Sequence, residues 1–319
     1  MKGEFDFIHS LKSKYGLNRI GDDCAVLPKD EQTDSVITAD MLVEDIDFRL
    51  EWTTPAFLGH KSLAVSLSDI AAMGATSKWA MVSIGIPASL WKTDFLDRFY
   101  AGWHDLARKH SVELVGGDIS RVPDKLVIDS TVIGEVPRGK AVLRTGAVPG
   151  DAIFVTGFLG GAAAGLKLLE SGIRFEQNLS APKRHLLFRQ LQPIPQIDTG
   201  KLLQQYELAT AMLDISDGLS SELEHLIGAN NVGARIDSVR IPLDPAINDV
   251  FGKADGSLDF ALHGGEDFEL LFAVDQQKIS LALDLGFHHV GEITANTGVI
   301  ELTQDGNTTA LHAKGYRHF

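Results

Sequence analysis

Carboxylates punctuate this chain where its apolar runs stop. Gly21-Asp22-Asp23, Thr38-Ala39-Asp40, Ser66-Leu67-Ser68-Asp69, Gly116-Gly117-Asp118, Asp214-Ile215-Ser216-Asp217-Gly218 and Gly264-Gly265-Glu266-Asp267 each set an acid beside Gly, Ser or Thr at the end of a hydrophobic segment. Any single motif of this kind is ordinary turn or helix-cap chemistry. Their number is the constraint, because a charge at the end of a buried element is costly unless it is paired. Oxygen donors suit hard cations, and Mg²⁺ is held by one or two carboxylates together with substrate phosphates. A metal-loaded polyphosphate is the implied ligand.

Composition narrows the class. A chain of 319 residues, 44% of them hydrophobic, has material for two ordinary domains. With 43 acidic against 29 basic residues and a formal charge of -14, its surface repels nucleic acid and anionic membrane, so neither is expected as a partner. Cys24 is the single cysteine, which excludes an internal disulfide and points to a reducing, cytoplasmic setting. The first dozen residues carry Glu4, Asp6 and Lys12 and show no export signal. The longest stretch of low polarity, Leu63 to Ala75, is broken by Ser66, Ser68 and Asp69 and is too short to span a bilayer.

Strand and helix patterns alternate along the chain. Period two over Ser35–Met41 places Val36, Thr38 and Asp40 on one strand face. Pro55–Met73 reads as a helix with Ser62, Ser66, Asp69 and Met73 at three- and four-residue spacing, and Phe95–His110 as an amphipathic helix with Tyr100 at the edge of its apolar face. Strands are expected at Val112–Val115, ending in Gly116-Gly117-Asp118, and at Lys125–Val136. Pro137, Gly139, Gly146, Pro149 and Gly150 mark a boundary, dividing the chain into residues 1–137 and 138–319. The second part reads as a strand at Ala152–Thr156, a glycine-rich turn, helices at Gly160–Ser171 and Lys183–Leu191, a strand at Ala209–Ile215, a helix at Asp217–Ile227 and a strand at Asp267–Val274. The class is α/β or α+β, in two halves.

Two phosphate-binding patterns fail on inspection. Gly134 and Gly139-Lys140 have P-loop spacing, but Ala141 stands where a hydroxyl would reach Mg²⁺, and Ala141-Val142-Leu143 reads as a strand. Gly157-Phe158-Leu159-Gly160-Gly161 lacks the GxGxxG order, and helix packing accounts for its glycines. No HRD triplet, GxSxG elbow or HExxH pair is present. Like charges about 4 Å apart repel by about 4 kcal/mol at an effective dielectric near 20, so several carboxylates accept a polyphosphate only with divalent cations between them. Asp217, where a helix begins, is either a metal ligand or a cap.

In order and spacing these motifs resemble the thiamine-monophosphate kinase family, within the aminoimidazole-ribonucleotide synthetase superfamily of ATP-binding proteins. The resemblance runs nearly full length through Ile20-Gly21-Asp22-Asp23-Cys24-Ala25, Ser68-Asp69-Ile70-Ala71-Ala72-Met73-Gly74-Ala75, Gly116-Gly117-Asp118, Asp214-Ile215-Ser216-Asp217-Gly218, Gly264-Gly265-Glu266-Asp267-Phe268-Glu269 and Lys314-Gly315-Tyr316. It implies ATP-dependent phosphorylation of thiamine monophosphate to thiamine diphosphate. It also implies a homodimer in which the N-terminal sheets pair into a barrel, with a C-terminal α/β domain packed against each. By position it assigns Asp23, Thr38, Asp40, Asp69, Asp118, Asp214 and Asp217 to several Mg²⁺ ions, with Ala39 contributing a backbone carbonyl. Tyr100, Gly117, Asp118, Arg144 and Ser216 fall at the nucleotide, and Glu266 and Tyr316 at the thiamine end, where an acid and an aromatic face suit a cationic thiazolium and a flat aminopyrimidine.

The chain departs from the family pattern at Asp47, where relatives commonly carry a substrate-associated histidine, and at Ala39, where threonine is frequent. Asp47 brings an added negative charge, which opposes an acceptor phosphate unless it is screened. Two other readings remain at this stage: a sibling synthetase making selenophosphate or aminoimidazole ribonucleotide, and a nucleotide-binding module without turnover. Selenophosphate enzymes set a reactive Cys in a glycine-rich segment, whereas Cys24 follows Gly21-Asp22-Asp23 in an expected strand, where a structural role fits.

Overall fold

Alternating apolar residues build the first sheet. In β2 (Thr33–Val43), Val36, Thr38 and Leu42 are buried while Ala39 and Met41 are exposed. It lies between β1 (Ala25–Pro28) and β5 (Val127–Pro137), followed by β3 (Thr76–Pro87) and β4 (Glu113–Val122), in the order β1-β2-β5-β3-β4. All neighbours are antiparallel except β3 and β4. The computed structural model describes residues 4–252 and 256–316. Within them this sheet is open and closes no barrel.

Helices α1 (Glu4–Tyr15), α2 (Pro55–Ala72), α3 (Ala88–Trp91) and α4 (Phe95–Lys109) belong to the same half. Thr54 caps α2, its hydroxyl accepting from Phe57 N. Nearly every residue of α2 is buried, its polar His60, Lys61, Ser62, Ser66 and Ser68 included, as expected of a helix packed on several sides. One side lies on the sheet, another on α4, and the rest meets the second half of the chain.

The second half holds β6 (Ala152–Val155), β7 (Ala211–Asp214), β8 (Gly233–Asp237), β9 (Leu270–Val274), β10 (His288–Thr294), β11 (Ile300–Gln304) and β12 (Asn307–Ala310), ordered β12-β11-β8-β10-β6-β9-β7. Only β8 and β11 run parallel. Its helices are α5 (Gly161–Glu170), α6 (Ala181–Leu191), α7 (Ile197–Gln205), α8 (Leu219–Asn230), α9 (Pro245–Phe251), α10 (Ser257–His263) and α11 (Ile279–Asp284). Phe154, Met212, Leu270 and Phe272 face the core that contains α2, while Ile153, Leu213, Leu271 and Ala273 face the cluster that includes Leu219, Leu223 and Leu226 of α8. One core therefore runs across both halves.

Three local expectations are corrected. β4 does not end at Gly116-Gly117-Asp118 but continues to Val122, because pairing with β3 resumes after a bulge near Val115. Ala141–Leu143 is no strand: Val142 N donates to Met73 O and Leu143 O accepts from Met212 N, which pins the connection between the halves. α8 begins at Leu219 with Gly218 in the N-cap position, so Asp217 does not cap it.

Candidate active site

The carboxylates of Asp23, Asp69 and Asp214 offer oxygens that all lie within 4.8 Å of one another. Asp23 comes from the bend before β1, Asp69 from the last turn of α2 and Asp214 from the last position of β7. Both halves thus supply the cluster. Hydroxyls fix two of these acids: Thr38 Oγ1 donates to Asp69 Oδ2, and Ser68 Oγ to Asp214 Oδ2 at 2.5 Å. Ser66, on the same helix, donates to Ser130 O of β5 at 3.0 Å and ties α2 to the sheet. Asp40 projects from β2 on the face shared with Thr38, and its charge raises the Asp69 carboxyl.

Burial dominates the electrostatics. It pushes Asp214 up to about 7, with Asp23 adding to the rise and the Ser68 hydroxyl and Arg144 opposing it. Burial likewise lifts Asp40 to about 6 and Asp22 to about 6, and drives Asp69 well above the ordinary carboxylate range. Arg144 is the paired cation. Its Nη2 and Nε (3.1 Å) donate to Asp23 Oδ1, and its backbone N–H donates to Asp22 Oδ1 at 3.2 Å. Burial works against the guanidinium charge, but Asp23 more than compensates.

A hard cation fits this donor set. Asp23 Oδ2 and Asp40 Oδ2 are buried without a hydrogen-bond partner among the described residues, and such oxygens call for a ligand. Every side-chain donor is an oxygen, the preference of Mg²⁺. Cys24 is 2% exposed and its thiol is pushed well up, by burial first and then by Asp69 and Asp23. It is packing, not a nucleophile.

A second group of residues forms beside the cluster. Ile215 N donates to Glu269 O, Phe268 N to Ile215 O and Glu266 N to Ser216 O, so the loops after β7 and before β9 lie edge to edge. Ser216 Oγ and Asp217 N both donate to Glu222 Oε1, at 3.3 and 3.1 Å. Glu222 is 2% exposed and pushed well above its usual range by burial, then by Asp214 and Asp217. A Cβ on Gly315 would stand 2.0 Å from Asp217 O. Only glycine lets the C-terminal segment lie there and bring Tyr316 beside Asp217, Asp47 and Glu266, whose charges add to a rise in its hydroxyl that begins with burial. Glu266 accepts from Lys61 Nζ at 2.6 Å and from Gln190 Nε2. Asp47 accepts from Val43 N at 2.8 Å, closing the turn after β2.

Other sequence candidates lie elsewhere. Asp118 is exposed on β4, accepts from Ser120 Oγ at 2.9 Å, and pairs in register with Ser83, one row from Gly117 and Val82. It is not among the acids that converge. Gly117, at φ +150°, is required there because a Cβ would stand 1.9 Å from Val82 O. Ala39 is exposed on β2. Tyr100 packs in α4 against Phe99 (5.4 Å, T-shaped) and near His104. Sequence reasoning missed Lys61, Gln190 and Glu222; a lysine within an apolar helix was the available signal for the first.

The Gly157–Gly161 turn has a structural use. Asp267 accepts from Gly160 N at 2.5 Å and Ala162 N at 3.1 Å, so the N-terminus of α5 already holds an internal carboxylate. Arg189 pairs with Glu269 at 3.3 Å and lies 3.7 Å from Asp267.

Residues 21–136 match the family described as AIR synthase related protein, N-terminal domain. The chain is 36% identical to the thiamine-monophosphate kinase of Bacillus subtilis (strain 168), over 99% of both chains. It is 37% identical to that of Escherichia coli (strain K12), over 99% of this chain and 95% of the relative. Among solved structures, AaThiL complexed with AMPPCP and TMP superposes with a TM-score of 0.88 at 32% identity, covering 99% of this chain and 97% of the other. Identity at this level, sustained from end to end, means that the chain belongs to the thiamine-monophosphate kinase family.

Proposed function

We propose that this protein transfers the γ-phosphoryl group of ATP to the phosphate of thiamine monophosphate, giving thiamine diphosphate and ADP, with Mg²⁺ held by the acid cluster. The convergence of Asp23, Asp69 and Asp214 from both halves carries the reading. The full-length relatives are named for this reaction, and the solved neighbour is described with a nucleotide analogue and TMP.

The acceptor is itself a phosphate and carries ionised oxygen near neutral pH, so no side-chain base is needed. Alignment and charge neutralisation are the demands of phosphoryl transfer. Bound Mg²⁺ would supply positive charge that offsets the negative charge of the phosphates. Asp23, Asp40, Asp69 and Asp214 would hold it, with Thr38 keeping Asp69 in place, and Asp118, Asp217 and the Ala39 carbonyl would serve further metal positions. Gly117, Arg144 and Ser216 serve the nucleotide, with Tyr100 at its edge. Asp47, Glu266 and Tyr316 frame the thiamine end, where the Asp47 carboxylate favours a cationic ring, Glu266 offers an acceptor and the tyrosine a flat face.

A second copy of the chain covers the outer face of the first sheet, completing a barrel across a homodimer. Met41, Met81, Val115 and Ile119, all exposed on β2, β3 and β4, support this arrangement. The described residues contain no helix long and apolar enough to cross a membrane, and the proposed setting is the cytoplasm. The deciding experiment incubates the protein with ATP, Mg²⁺ and thiamine monophosphate and follows thiamine diphosphate and ADP by chromatography. Equal yields of the two are expected. ATP binding without thiamine diphosphate would leave only a nucleotide-binding module.

A further inference from the structure

Two of the polar contacts that helix α2 makes with the second half of the chain end on acids of the candidate site. Ser68 Oγ meets Asp214, and Lys61 Nζ meets Glu266 Oε1 at 2.6 Å. Seven positions apart, Lys61 and Ser68 share one helix face, about 10 Å from each other along the axis. One contact lies at the metal cluster and the other at the substrate loop. A single rigid helix therefore sets the spacing between them.

Packing does not explain the ammonium group. Lys61 is 4% exposed among Leu58, Ala64 and Val65. A buried ion pair gives little net stability over an apolar pair of the same volume. Its partner is tightly constrained: Glu266 stands at φ +68°, its N–H is held by Ser216 O at 2.7 Å, and its second oxygen accepts from Gln190 Nε2. Each carboxylate oxygen thus takes a donor from a different half of the chain. Gln190 Oε1 is buried with no partner among the described residues, which leaves an acceptor beside this carboxylate.

We propose that Lys61 is a positioning residue for the acceptor substrate, acting through Glu266. This rests on the assignment of Glu266 to the thiamine end. The ammonium offsets the Glu266 charge and fixes its direction, so Glu266 acts as an oriented hydrogen-bond acceptor for the aminopyrimidine. The negative charge facing the thiazolium then comes from Asp47 beside Tyr316.

The test is a cycle of Lys61→Met, Glu266→Gln and the double variant in the full-length protein. It reads KM for thiamine monophosphate and for ATP, and the dissociation constant of thiamine monophosphate by calorimetry. Each single change is expected to weaken thiamine monophosphate about tenfold with KM for ATP within about twofold, and the double change should be no worse than the weaker single. Multiplying effects in the double variant, or a parallel rise in both KM values, would assign Lys61 a merely structural role and overturn the proposal. Lys61→Gln, which keeps a donor, enters the same cycle if Lys61→Met does not fold. An unchanged affinity in Glu266→Gln would remove Glu266 from the substrate site and Lys61 with it, while wild-type turnover would still stand.

Discussion

Replacing Asp214 with asparagine should stabilise the metal-free protein while disabling it. Asp214 is 3% exposed, and burial together with Asp23 lifts its carboxyl from 3.8 to about 7. A folded-state value raised in this way means that the native chain holds the proton more tightly than the unfolded chain. Stability therefore falls as pH rises from about 4 to about 7, and the full cost is present above 7. At about 1.4 kcal/mol per pH unit, that cost is about 4 kcal/mol. Asparagine has no charge to lose and still offers Oδ1 to the Ser68 hydroxyl. With an unfolding entropy of about 2 cal/mol/K per residue, the variant should melt up to about 6 °C higher at pH 8 in EDTA, and less than about 3 °C higher at pH 5. Differential scanning calorimetry at the two pH values measures the gap. Turnover at saturating Mg²⁺ should fall at least about a hundredfold. A gap that does not change with pH, or a metal-free wild type more stable than the variant at pH 8, would refute the claim that burial carries an uncompensated charge here.

Mg²⁺ should bind more weakly at pH 6 than at pH 8, because it must displace protons from Asp214 (about 7) and Asp40 (about 6); titration calorimetry in buffers of different ionisation enthalpy counts the protons released. Arg144→Met removes the cation paired with Asp23, and should raise KM for ATP about tenfold with KM for thiamine monophosphate within about twofold in steady-state assays. Gly117→Ala places a Cβ 1.9 Å from Val82 O at φ +150°, so β4 must part from β3, with a loss of about 2–4 kcal/mol in urea unfolding.

Residues whose surroundings are set by their own element were legible in the sequence. Period two put Thr38 and Asp40 on one face of β2, and the apolar spacing of Phe95, Phe99 and Trp103 marked α4. The acids stood out because each ends a buried run. Partners brought together by the fold left no such trace: Ser68 and Asp214 are 146 residues apart, and nothing in either neighbourhood names the other. Glu222 sits on a helix face that periodicity reads as polar surface, yet the preceding loop folds over it through Asp217 N. β3 was missed because it follows α2 after only Met73–Ala75, with no turn-rich stretch to separate a second apolar run from the first.

Charge accounting ties metal and nucleotide together. The structure pairs Asp23 with Arg144, while Asp40, Asp69 and Asp214 are left to hydroxyls and to one another. Two like charges about 4 Å apart cost about 4 kcal/mol at an effective dielectric near 20, so these acids cannot all ionise unaided. Below about pH 7 protons answer the demand; above it, cations must. A triphosphate brings negative charge of its own and is repelled by the bare cluster, whereas each divalent cation drawn to the acids lowers the cost of bringing the phosphates in. Binding of either must strengthen binding of the other by the same factor. ATP in EDTA should therefore bind hardly at all to the wild type, and neutralising Asp214 should loosen that dependence, because fewer charges then need to be met before a phosphate can approach.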